Sequence, residues 1–232
     1  MSAPNPLDPV AKLAAELSPE ARRESLSLYV AMGDSFTAGT GCRAGEAWPE
    51  RLANRLRSTS PALELRNLAV HGATSSEVLG QLPEALELEP DLVSVVCGAN
   101  DVLGTTRPDA REYARRLDTI FLRLVRANPV VRVVTATAPE RWDFLGLGPR
   151  TTARVARGVA EVNSATRAVA RAHGVACLDV AGHPGLSQAE NFSADGLHPS
   201  ALGHRRAADG FARLLRQAFG IEMATEGEVD AA

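Results

Sequence analysis

Ser35, Asp195 and His198 are the residue types that carry out nucleophilic acyl transfer. A hydroxyl attacks, an imidazole takes its proton, and a carboxylate holds the imidazole tautomer and stabilises the imidazolium that forms. Asp195 and His198 stand three apart in Asp195-Gly196-Leu197-His198-Pro199, so one turn can bring both to a single nucleophile. Ser35 lies in Gly33-Asp34-Ser35-Phe36-Thr37. A Gly-assisted turn there projects the hydroxyl over the edge of a sheet and leaves the Ser35 backbone N–H free to face a developing oxyanion. Two more donors are available: the backbone N–H of Gly72, which no side chain obstructs, and the side-chain amide of Asn100 in Gly98-Ala99-Asn100-Asp101. Each position also has a plain alternative. Ser and Asn are common N-caps, a turn glycine needs only a positive φ, and Asp-x-x-His occurs freely in surface loops. The chemistry rests on the set, not on any one member.

A set drawn from four distant segments needs a scaffold that gathers them. Apolar runs over 26–33, 63–70, 91–98, 130–138 and 175–181 predict five strands, with 63–70 alternating enough to be an edge. Runs this apolar suit strands covered on both faces, and therefore a parallel sheet between helices. Helical stripes fill the gaps over 48–58, 108–127, 151–173 and 200–219, and their apolar faces read as core. The alternation predicts a doubly wound α/β fold, in which ligands bind outside the carboxyl ends of the strands. Ser35, Gly72 and Asn100 come directly after the first three strands, and Asp195 and His198 fall between the fifth strand and the last helix.

With those blocks in order, the sequence resembles the SGNH hydrolases, also called GDSL esterases or lipases. The matching segments are Gly33-Asp34-Ser35 continued by FTAGTG, then NLAVHGATS, GAND and DGLHPS; PDLVSVVCGAND and the WPERLA run are also similar. The resemblance covers roughly residues 27–215. It implies a flavodoxin-like three-layer α/β/α sandwich with a five-stranded parallel sheet, and ester hydrolysis through an acyl-enzyme. It further implies a triad of Ser35, Asp195 and His198 and an oxyanion hole formed by Ser35, Gly72 and Asn100. The α/β-hydrolases share the order Ser, Asp, His, but their elbow is G-x-S-x-G, whereas Thr37 stands two after Ser35 here.

Composition narrows the partners. The 232 residues carry a net charge of −3 with scattered arginines, which argues against a nucleic-acid footprint. No stretch approaches the ~18 apolar residues of a membrane span, and the N-terminus is not a secretory signal, so the expected compartment is the cytoplasm. Cys42, Cys97 and Cys177 have neither disulfide-framework nor metal-ligand spacing and read as reduced thiols. The expected partner is a small-molecule ester, acted on by a monomer with no cofactor and no metal. The chain divides into an N-terminal arm over 1–26 with a short helix capped at Ser18, a hydrolase domain over 27–220, and a flexible acidic tail over 221–232.

Three rival readings use the same residues. An acyltransferase would pass the acyl group to an alcohol or sugar, and a binding module would keep the fold without turnover. A phosphate cradle at GDSFTAGTG for FMN or a nucleotide lacks a Walker lysine and a G-x-G-x-x-G pattern. His71, His173, His183 and His204 read as structural or exposed, and Arg43 and Arg141 either as solvated surface arginines or as partners of an anionic substrate group. The segment 139–150, with Trp142, Phe144, Leu145 and Leu147, could line the substrate or pack on the core.

Overall fold

Gly33 ends the first strand because nothing larger fits: a Cβ there would sit 2.4 Å from the Val96 carbonyl oxygen and 2.6 Å from Thr37 Oγ1. That crowding marks the centre of a sheet whose strands are β1 (Leu28–Gly33), β2 (Glu64–Asn67), β3 (Leu92–Val96), β4 (Arg132–Ala136) and β5 (Ala176–Leu178). The order is β2-β1-β3-β4-β5 and every pairing is parallel. This is the doubly wound order whose topological switch lies between β1 and β3, where ligands bind beyond the carboxyl ends. The computed structural model describes residues 25–140 and 145–229. The expected arm and its helix up to residue 24, the side chains of Arg141, Trp142 and Phe144, and residues 230–232 lie outside that range.

The helices are α1 (Ser35–Ala38), α2 (Trp48–Leu56), α3 (Ser75–Glu87), α4 (Ala99–Leu103), α5 (Ala110–Ala127), α6 (Pro149–Ala172), α7 (Ala201–Phe219) and α8 (Glu226–Val229). Alternate strand residues face opposite layers, as the two-residue side-chain period requires. Val30, Met32, Val93, Val95 and Val133 pack with apolar residues of α3, α5 and α6. Tyr29, Ala31, Leu92, Val134 and Ala136 pack with those of α2 and α7. At about 25 cal/mol per Å² of apolar surface, each fully buried Val or Leu contributes about 1.5–3 kcal/mol, so the two layers and not local propensity hold the fold.

The structure departs from the sequence reading in several places, and it decides part of what the loop after β4 does. Helix α3 is not among the helical stripes of the sequence, because Gly80 and Pro83 interrupt its pattern. Its buried face of Val78, Leu82 and Ala85 offsets their unfavourable propensity, and the Glu77 carboxylate closes its first turn by accepting the Thr74 N–H at 2.7 Å. Strand β5 is shorter than expected, spanning only Ala176–Leu178, and is half-buried because it lies at the sheet edge. The near end of the acidic tail is docked: Met223 is buried, Ile221 packs on the α2/α7 layer, and the Ala224 N–H donates to Ser58 Oγ at 2.8 Å. Of the loop after β4, Leu145 and Leu147 pack against the α3/α5/α6 layer.

Candidate active site

Asp34, not Ser35, caps the helix at the end of β1. Its carboxylate accepts the Phe36 N–H at 3.0 Å, which makes Ser35 the first helical residue. Gln81 of α3 fixes the preceding turn from below, accepting the Gly33 N–H and donating to the Gly33 carbonyl, each at 2.9 Å. Ser35 is thus held over the carboxyl edge of β1. Its Oγ stands 2.9 Å from His198 Nε2, and His198 Nδ1 stands 2.6 Å from Asp195 Oδ2. Ser35 and His198 are 163 positions apart in the chain.

Asp195 is locked in place. Its Oδ1 accepts from Ser193 Oγ at 2.7 Å and from the backbone N–H groups of Leu197 and His198 at 2.9 and 3.0 Å. Burial opposes its charge, but these bonds and the one to His198 outweigh that and hold the carboxyl well below the usual carboxylate range. It is therefore an ionised acceptor, placed to accept a hydrogen bond from a proton carried on His198 Nδ1, while Nε2 faces Ser35 Oγ.

The loops after β2 and β3 are tied to each other. Asn100 Nδ2 donates to the Ala73 carbonyl at 3.0 Å, which leaves its second amide hydrogen for the site cavity that Asn100 lines. Asp101 accepts the Ser75 N–H at 2.8 Å and its hydroxyl, and Arg116 lies 3.7 Å away. Gly72 adopts φ +79°, with open space where a Cβ would be. Among the described residues, the backbone N–H groups of Ser35 and Gly72 donate to no protein acceptor. Two N–H groups and one amide hydrogen are thus unspent at one sheet edge, which is what a developing negative charge requires.

Sequence reasoning missed the place of His71. Residue type and spacing group it with the structural or exposed histidines, yet its ring centroid lies 5.4 Å from that of His198, and its Nδ1 is 3.0 Å from Thr40 Oγ1. Its position immediately before Gly72 was the available signal. His204 is structural: it is buried against Phe36, receives the Trp48 N–H on Nδ1, and has its pKa lowered by burial. His173 meets Asp118 far from the site, and Arg43 is exposed. Among the described residues, no group of three or more His, Cys, Asp and Glu side chains is gathered as a metal site would need. No helix among them is long and apolar enough to cross a membrane.

The model of the GDSL-like lipase/acylhydrolase family matches residues 31–206. The chain belongs to that family. A GDSL-like esterase of Mycobacterium tuberculosis is 33% identical over 200 residues, covering 80% of this chain and 60% of the relative. The thioesterase 1/protease 1/lysophospholipase L1 of Escherichia coli is 28% identical over 118 residues, covering 50% of this chain and 55% of the relative. The chain thus spans little more than half the length of these curated relatives. Among solved structures, LAE5, an alpha/beta hydrolase enzyme from the metagenome of Lake Arreo, is similar with a TM-score of 0.65 and 26% identity, over 84% of this chain and 95% of that one.

Asp34 of the Gly33-Asp34-Ser35 segment also bears on stability. Asp34 is almost fully buried, and desolvation raises its pKa from 3.8 to about 6, despite the Phe36 N–H and the nearby His198. The folded protein therefore keeps this proton in a range where the unfolded chain has lost it. The resulting stabilisation is complete below about pH 4 and is lost as pH rises through about 6. The difference between 3.8 and about 6 corresponds to about 3 kcal/mol. Asp34→Asn keeps the capping oxygen and cannot ionise. Urea unfolding of both proteins at pH 4, 5, 6 and 7 should show the variant gaining about 3 kcal/mol on the wild type across that range. Parallel stability curves would refute the buried, protonated state of Asp34.

Proposed function

We propose that the protein hydrolyses carboxylic esters through a Ser35–His198–Asp195 triad and a covalent acyl-enzyme. The observation that carries this reading is the unbroken relay from Asp195 Oδ2 through both nitrogens of His198 to Ser35 Oγ, at 2.6 and 2.9 Å. Ser35 Oγ attacks the ester carbonyl carbon while its proton passes to His198 Nε2. The carbonyl oxygen takes the negative charge and is met by the N–H groups of Ser35 and Gly72 and by the Asn100 amide. The tetrahedral intermediate collapses as His198 gives its proton to the departing alcohol, leaving the acyl group on Ser35. Water then enters and loses a proton to His198 as its oxygen attacks the acyl carbon; the second tetrahedral intermediate collapses with cleavage of the bond to Ser35 Oγ, which takes the proton back from His198 as the acid leaves. Asp195 remains ionised throughout and stabilises the imidazolium at each step. The substrate is a small-molecule ester, and the hydrolase unit is 27–220.

A fluorophosphonate tests the reading directly, because its phosphorus accepts a serine alkoxide and the adduct mimics the tetrahedral state. Peptide mass spectrometry after labelling should place a single adduct on Ser35, in step with the loss of p-nitrophenyl acetate hydrolysis. An adduct on another residue with activity lost, or full activity with Ser35 modified, would refute it.

A further inference from the structure

From Ser35 a groove of about 420 Å³ runs away from the β2 side, across the carboxyl ends of β3, β4 and β5, and on along α7. Its floor is apolar: Val96, Ala136 and Leu178 from the sheet, and Ala207, Gly210 and Phe211 from α7. Val96, Ala136 and Phe211 are each less than a tenth exposed, and Leu178 and Ala207 are half-buried. Leu197 and Pro199, flanking His198, line it nearer the serine. The lining on α7 reaches from Gly203 to the exposed Arg213, about 15 Å of helix at 1.5 Å per residue.

Most of the polar side chains along this groove are already hydrogen-bonded within the protein. Asp179 holds Arg167 through both oxygens, at 2.8 and 2.9 Å, and accepts Thr137 Oγ1 at 2.9 Å. Arg206 is spent on Asn191 and Gln188, each at 2.6 Å, and on Glu190 at 3.0 Å. His183 Nδ1 accepts the Gly185 N–H at 3.1 Å. A sugar or other hydroxyl-rich group would find no partner on the apolar floor, whereas a hydrocarbon chain needs none. The cycle assigns the two halves of the ester as well. The alcohol must depart so that water can take its place, while the acyl group stays bonded to Ser35 through both steps. A groove with a buried floor suits the part that stays. Gly72 and His71, which are exposed, do not line it.

We propose that this groove is the acyl subsite and that the preferred substrates are esters of unbranched aliphatic acids of medium length; the proposal rests on the ester-hydrolase reading above. Each buried methylene contributes about 0.8 kcal/mol, close to a fourfold gain, before ordering costs reduce it. kcat/KM for p-nitrophenyl esters should therefore rise from acetate through butyrate to octanoate, by about 10² overall. Ala207→Leu, which fills the middle of the groove, should lower the octanoate-to-acetate ratio by about tenfold or more. Inactivation of the wild type by an octyl fluorophosphonate should likewise outpace a methyl one, which tests the groove without relying on any variant. Ser35-dependent hydrolysis with a flat or falling chain-length profile would overturn the acyl subsite and leave the ester-hydrolase reading standing. A ratio that Ala207→Leu does not move would also overturn it. Absence of any ester hydrolysis and of labelling at Ser35 would overturn both.

Discussion

Ser35→Ala should lower kcat/KM for p-nitrophenyl acetate by about 10⁴–10⁶-fold while the protein stays folded. The Oγ atom makes one side-chain contact, to His198 Nε2 at 2.9 Å, and the helix start does not depend on it. Capping comes from Asp34, and the Ser35 carbonyl would still accept the Thr40 N–H at 3.0 Å. The thermal midpoint should therefore move little, while the proposed nucleophile is gone. His198→Ala should cost a comparable factor, because a serine without its base is a weak nucleophile. The double variant should be no slower than either single one, since the groups act as a unit. Activity of Ser35→Ala within tenfold of wild type, at an unchanged melting temperature, would place the nucleophile elsewhere.

Asn100→Ala should reduce kcat by about 10²–10³ with KM little changed. In the proposed cycle the amide meets a charge that develops only as the tetrahedral state forms, so its loss should fall on the transition state and not on substrate binding. The side chain also holds the Ala73 carbonyl at 3.0 Å, and losing that bond should cost about 1 kcal/mol of stability. The two roles separate in the measurements: stability reports the tether, and kcat at saturating substrate reports the oxyanion donor. A rise in KM at constant kcat, or a loss of activity no larger than threefold, would remove Asn100 from the oxyanion hole and leave it a loop tether.

Both outcomes depend on geometry that is partly visible in the chain. The apolar runs through Gly33, Val96 and Ala136 predict strands, and an α/β sheet places the loops after its parallel strands at one edge. Helix α3 escapes because Gly80 and Pro83 depress local propensity, and only burial of Val78, Leu82 and Ala85 overrides it. The two-bond hold of Gln81 on Gly33 escapes with it, since 48 residues separate the partners.

By itself the sequence determined which groups are present and which loops carry them: Ser35, Gly72, Asn100, Asp195 and His198, each in a short block where residue type and spacing are local properties. The tertiary structure alone decided how they meet. It set the ring of His71 beside His198, tied Asn100 to Ala73, buried Asp34 so that its proton is retained to about pH 6, and opened an apolar groove between the sheet and α7. These are consequences of contacts across the parallel sheet, between residues tens to more than a hundred positions apart. Desolvation, cavity shape and through-space hydrogen bonds depend on distance in the folded chain, and residue order does not encode that distance directly.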